Sequence, residues 1–178
     1  MKEVTMGERT GIVTMGGKPV TLTGHEVKVG DKAPDFLVIN NDMQPITLAE
    51  FKGKVLVLSA VPSLDTSVCD AETRRFNVEA TRLGSRVQIV TISMDLPFTQ
   101  KRWCGQAGIN RVITASDHRD ASFGQAYGVL IKEVRLLARV VFVIDMAGIV
   151  RHIHVVNEVG KEPDYDIILS VVEKLLNG

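Results

Sequence analysis

Apolar positions along the chain fall into two patterns. Short, nearly unbroken runs occur at Lys54–Val61 (KVLVLSAV), Arg86–Ser93 (RVQIVTIS) and Ala138–Asp145 (ARVVFVID). Such runs predict strands buried on both faces. Between them apolar residues recur at helical spacing. That predicts helices at Val68–Leu83, at Pro97–Ala107 (stopped by Gly105 and Gly108) and at Asp120–Tyr127 (ended by Gly128). Val112–Ala115 reads as a short strand, and Ile149–Val156 returns beyond the Met146–Gly148 turn as a partner of the third run. The last helix is predicted with Pro163 in its first turn, followed by Tyr165, Ile168, Leu169, Val172, Leu175 and Leu176 at helical spacing.

The N-terminal region follows a different rule. Thr10–Thr14 and Val20–Thr23 are β-rich and flank Gly16-Gly17, which predicts a hairpin. A Gly- and Pro-marked loop at 30–34 and the apolar run Phe36–Ile39 follow. After residue 54 the order is β-α-β-α-β-α-β-β-α, which describes an α/β protein with helices on both faces of one sheet. This order suits a thioredoxin-like core, a central mixed sheet flanked by helices, with an insertion and an N-terminal β-hairpin. The expected organisation is one domain over residues 1–178, with residues 1–30 as the hairpin extension.

Composition narrows the function. Of the 178 residues 45% are hydrophobic, enough for a core, and 21 Lys plus Arg balance 21 Asp plus Glu. With no basic excess to neutralise phosphates, no nucleic-acid partner is expected. The longest apolar runs, such as Val55–Val61, are far shorter than a bilayer requires, so no membrane span is expected. The start MKEVTMGERT lacks the apolar core of a secretory signal, which points to the cytoplasm. The two cysteines, Cys69 and Cys104, are too few for a disulfide scaffold. In a reducing compartment they are buried hydrophobes, metal ligands or redox catalysts.

Cys69 follows the segment Val61-Pro62-Ser63-Leu64-Asp65-Thr66-Ser67-Val68, which joins a buried strand to a helix. Pro62 ends the strand, and Asp65, Thr66 and Ser67 are all good N-caps. The helix therefore begins near Val68 and carries Cys69 in its first turn, on the stripe of Phe76, Ala80 and Leu83. Unpaired N–H groups and the positive end of the helix dipole favour a thiolate there. A small buried hydrophobe fits the same placement, and placement alone leaves both readings open.

The string Pro62-x-x-x-Thr66-x-x-Cys69 resembles the active-site signature of the peroxiredoxins. Its full form, Pro62-Ser-Leu-Asp-Thr-Ser-Val-Cys69, resembles the bacterial thiol peroxidase branch, an atypical two-cysteine group. Four further segments carry the same resemblance: Ser93–Phe98, Cys104-Gly105, Ala126–Val129 and Glu162–Tyr165. Nearly the whole chain is covered. Val61 departs from the pattern, since the family often has an aromatic residue before the proline. That alters a wall of the pocket and leaves the reacting groups in place.

The resemblance implies a thiol-specific peroxidase that reduces hydrogen peroxide and organic hydroperoxides. Cys69 is then the attacking sulfur, Thr66 a hydroxyl that bonds sulfur and peroxide, and Pro62 a shield against bulk water. Arg139 becomes the fixed positive charge beside the thiolate; without the resemblance it reads as a snorkelling residue at a strand end. Cys104 becomes the resolving thiol that condenses with the Cys69 sulfenic acid. The two cysteines lie on successive helices, whereas a disulfide needs Cα atoms within about 7 Å, so both helices are expected to unwind locally. Thioredoxin is the implied reductant and a homodimer the implied assembly, and no flavin, haem or metal cofactor is required.

Three rivals remain at this level. A dithiol-disulfide oxidoreductase on the same fold would normally carry Cys-x-x-Cys, which is absent. A metal module would use His152 and His154, read here as an exposed strand pair, but no cysteine or carboxylate cluster completes the set. A non-catalytic redox-sensing or interaction module would tolerate loss of Cys69.

Overall fold

The computed structural model describes residues 7–178, so the first six residues of the expected extension lie outside it. The chain opens with β1 (Gly7–Met15) and β2 (Lys18–Gly24), paired antiparallel. Gly16 and Gly17 both have positive φ, the conformation a tight hairpin turn needs. Next come β3 (Leu37–Asn40), β4 (Pro45–Thr47) and a 3-10 turn at Leu48–Phe51. The alternating segment is β5 (Val55–Ala60), α1 (Ser67–Leu83), β6 (Val87–Ser93), α2 (Pro97–Ala107), β7 (Ile113–Ser116) and α3 (Ser122–Ala126). The chain closes with β8 (Leu130–Ile131), β9 (Leu136–Leu137), β10 (Val140–Ile144), β11 (Val150–Val155) and α4 (Tyr165–Asn177).

Seven strands form the main sheet in the order β11-β10-β5-β6-β7-β3-β4. β5, β6 and β7 run parallel and the remaining neighbours antiparallel, which makes it the expected mixed sheet. All six residues of β5 are buried, as its unbroken apolar run requires. Alternation along β5 and β10 supplies both faces. Val55, Val57, Val141 and Val143 pack with Phe76 of α1 and with Ile168 and Val172 of α4. Leu56, Leu58 and Phe142 pack on the other face with Phe123 and Tyr127. The hairpin joins β8 and β9 in a second sheet of order β1-β2-β8-β9.

Three details differ from the sequence reading. β4 was not expected; Pro45 opens it at the sheet edge, where a missing N–H breaks no ladder. β8 and β9 are two residues each, too short for any periodicity to register. Pro163 lies outside the last helix, because Asp164 is the N-cap and its side chain accepts the Ile167 N–H.

Candidate active site

Val61 donates its N–H to Ile92 O at 3.0 Å, and Pro62 then ends the pairing of β5. The turn that follows is tied down by Asp95, which accepts from the Ser63 hydroxyl at 2.7 Å and from Leu64 N–H at 2.8 Å. Thr66 is the N-cap of α1, and its Oγ1 accepts the Cys69 N–H at 3.4 Å. Cys69 thus occupies the first turn, fully buried, as its placement on the inward stripe predicts. Val61, Leu64 and Trp103 wall it in, and Pro62 is buried beside them.

Arg139 comes to the sulfur from the opposite side. It precedes β10 and is 1% exposed, so it does not snorkel. Its Nη2 donates to Cys69 Sγ at 3.1 Å, its Nη1 to Glu72 Oε2 at 2.5 Å and its Nε to Val159 O at 3.0 Å. Each edge of the guanidinium is therefore held, which fixes the direction of the group facing the sulfur. Glu72 is also fully buried and accepts from the Ser59 hydroxyl at 2.8 Å. Burial pushes the Glu72 carboxyl above its ordinary range, against the opposing charge and hydrogen bonds of Arg139 and the bond from Ser59. Burial alone would lower Arg139, but Glu72 and Cys69 outweigh it and shift the guanidinium upward, so it stays charged.

Thr66 differs from its expected contact. Its hydroxyl donates to Ser63 O at 2.9 Å, and its contacts are those of a helix cap rather than a bond to the sulfur. Thr73 donates to Cys69 O at 2.8 Å and stiffens the same turn.

Cys104 lies in the last turn of α2, half-buried and close to the same small cluster. Its environment is neutral. Thr114 donates its hydroxyl to Asn41 Oδ1 at 3.0 Å, Asn41 Nδ2 donates to Cys104 Sγ at 3.7 Å, and Sγ lies 3.2 Å from Thr114 Oγ1. With the Thr114 proton committed to Asn41, the remaining bond is donated by the Cys104 thiol. Both cysteines are free thiols in this structure. α2 ends on Gly108, whose φ of 68° is the left-handed cap that glycine adopts without strain. Gly105 lies inside the helix instead of stopping it.

Glu72, Ser59, Asn41, Thr114 and Asp95 escaped the sequence reading. Glu72 had a signal: it lies three residues after Cys69, on the stripe shared with Thr73, Phe76 and Ala80. A carboxylate on an inward stripe demands a buried partner. Asn41 and Thr114 had none, because their meeting depends on how β3 and β7 pair. His152 and His154 are half-buried, not exposed, and stack with ring centroids 6.2 Å apart. His154 Nε2 accepts the Asp164 N–H at 3.1 Å, which commits one of its two ring nitrogens to the backbone. Among the described residues, no helix is long and apolar enough to cross a membrane.

Comparison with known proteins agrees with this geometry. The Redoxin family model matches residues 28–169. The chain is 57% identical to the thiol peroxidase of Oceanobacillus iheyensis over 162 residues, 91% of this chain and 98% of that protein. It is 55% identical to the thiol peroxidase of Bacillus subtilis, over 92% of this chain and 98% of that one. Among solved structures, a peroxiredoxin-like protein from Aquifex aeolicus superposes with a TM-score of 0.87 at 43% identity, covering 96% of this chain and 98% of the other. The chain belongs to the Redoxin family and, within it, to the thiol peroxidases.

Proposed function

We propose that Cys69 is the peroxidatic residue of this thiol-dependent peroxidase and Cys104 its resolving partner. The observation that carries the proposal is the 3.1 Å bond from Arg139 Nη2 to Cys69 Sγ inside a fully buried site. A guanidinium held by Glu72 and Val159 favours the anionic sulfur and costs no reorganisation when charge develops. The thiolate attacks one peroxide oxygen, the O–O bond breaks, and the other oxygen leaves as hydroxide or alkoxide and takes a proton. Arg139 stabilises that departing charge. Thr66 turns its hydroxyl from Ser63 to the bound peroxide, and Pro62 keeps bulk water from the sulfur. Hydrogen peroxide and organic hydroperoxides are the substrates.

Cys104 then attacks the Cys69 sulfenic acid, and an intramolecular disulfide forms as water leaves. For this it abandons Thr114 and Asn41, and the turns that carry both sulfurs open. An external dithiol of the thioredoxin type reduces the disulfide by exchange. Family membership supports that reductant, a cytoplasmic site of action and a single peroxidase domain over residues 1–178. A homodimer is supported by Leu96 and Phe98, which stand 51% and 67% exposed at the start of α2.

Peroxide consumption coupled to thioredoxin reduction tests the reading. Cys69→Ser should abolish consumption, and insulin should not be reduced by the wild type. Turnover retained by Cys69→Ser would favour a non-catalytic role for this cysteine, and rapid insulin reduction would favour a dithiol carrier.

A further inference from the structure

The residues next to the two cysteines are bonded to each other. Trp103, immediately before Cys104, donates Nε1–H to Asp70 Oδ1 at 2.9 Å, and Asp70 immediately follows Cys69. Arg74, one turn further along α1, completes the contact. Its Nε donates to Asp70 Oδ2 at 2.8 Å, and its Nη1 to Ala107 O at 3.2 Å, the last residue of α2. Its guanidinium also lies over the Trp103 ring, 5.9 Å from the centroid. Trp103 is 9% exposed and packs in the cluster that encloses Cys69.

We infer that Asp70, Trp103 and Arg74 form a clamp that holds α1 and α2 in their helical, reduced arrangement and thereby sets how fast the oxidised Cys69 is resolved. The inference rests on the Cys69–Cys104 pairing proposed above. Both sulfurs are carried by residues adjacent to the clamp, so neither turn can open while the bond between Trp103 and Asp70 is intact.

The clamp decides between two fates of the sulfenic acid. In one, Cys104 attacks Cys69 Sγ, the S–S bond forms, the S–O bond breaks, and hydroxide leaves to become water. In the other, a second peroxide transfers an oxygen to Sγ, giving sulfinic acid and water or alcohol. The first needs the clamp open and the second does not. A tight clamp therefore favours over-oxidation at high peroxide, and a loose one favours the disulfide. These three are positioning residues: Trp103 packs against Cys69, but the polar bonds of all three run to one another and to Ala107 O rather than to the reacting sulfur.

Rapid-quench mass spectrometry on full-length Trp103→Phe, Asp70→Ala, the double variant and Arg74→Ala tests the clamp. Disulfide formation should quicken about tenfold in Trp103→Phe and Asp70→Ala, the scale of one hydrogen bond to a charged group. The double variant should be no faster than the faster single, because both remove the same bond. Arg74→Ala, at a side chain 50% exposed, should quicken it a few-fold. The sulfinic yield per turnover should fall by matching factors, while in Asp70→Ala and Arg74→Ala, whose side chains lie outside the wall around the sulfur, the first reaction of Cys69 with peroxide stays within about twofold. Three outcomes overturn the clamp: unchanged resolution in Trp103→Phe and Arg74→Ala, accelerations that multiply in the double variant, or a parallel change in the first reaction of Asp70→Ala and Arg74→Ala. If the wild type forms no disulfide at all, the Cys69–Cys104 pairing fails, and the clamp with it.

Discussion

Cys69 is wholly enclosed and faces a guanidinium, whereas Cys104, on the next helix, is half-buried and faces a hydroxyl and an amide. Their helices differ in the same sense. α1 is capped by the Thr66 side chain and buries Cys69, Glu72, Thr73, Phe76 and Ala80. α2 has no side-chain cap, starts from Leu96, and buries only Pro97, Gln100 and Trp103. A thiol that must react with a dilute oxidant benefits from a site built in advance, because fixed dipoles need no rearrangement during the reaction. A thiol that must travel benefits from shallow burial and neutral, replaceable contacts, because local opening is easiest where few groups are buried.

Removing the sulfurs themselves should break the comparison most sharply. Cys69→Ser should lose peroxidase activity altogether. Cys104→Ser should keep its first reaction with peroxide and lose steady turnover with thioredoxin, as stopped-flow and coupled assays would read. The charged network comes next. Arg139→Gln leaves the buried Glu72 with the Ser59 hydroxyl but no counter-charge and should cost about 3–5 kcal/mol of stability in denaturant titration. It should also slow the first peroxide reaction on the order of 100-fold. Glu72→Gln keeps a hydrogen-bond acceptor for Arg139 and should cost less on both scales. Equal losses for the two variants would mean that the charge on Arg139 is not what the sulfur uses.

The Cys104 side should respond more gently. Thr114→Val removes one neutral bond network and should cost about 1 kcal/mol of stability. It should speed disulfide formation and leave the first peroxide reaction untouched. A slower first reaction would show that the two sites are not separable.

The smallest effect concerns the brace behind Arg139. Glu158 accepts from Thr14 Oγ1 at 2.6 Å and from Gly17 N–H at 3.0 Å, and the adjacent Val159 takes the Arg139 Nε. The N-terminal hairpin is thereby tied to the loop that holds the guanidinium. The Thr14 hydroxyl, followed by backbone N–H groups, holds the Glu158 carboxyl down at about 2. A carboxyl lowered in the folded state stabilises it above the unfolded pKa, and that contribution fades as pH falls from about 4.5 towards about 2. Thermal melts should therefore show the wild type losing more stability than Glu158→Gln across that interval. Parallel melting curves would remove Glu158 from the brace.

The strands and helices around the site were legible because their signals are local. Unbroken apolar runs marked β5, β6 and β10, and the proline and hydroxyl residues before Cys69 marked the start of α1. The site itself was legible only in part. Chain spacing put Pro62, Thr66 and Cys69 together, whereas Arg139 meets Cys69 through the pairing of β10 with β5, which no local pattern states. The family resemblance supplied Arg139, and the carboxylate on the inward stripe of α1 was the overlooked local sign that a cation had to be near. The surroundings of Cys104 were illegible, since Asn41 and Thr114 sit in separate strand regions joined only by the sheet.

The most direct test of the two environments is intact mass after one equivalent of peroxide, on wild type and on Cys104→Ser. The wild type should lose two hydrogens as an intramolecular disulfide, and the variant should gain one oxygen, mapped by peptide analysis to Cys69. A Cys69 that remains a free thiol in both proteins would contradict the account.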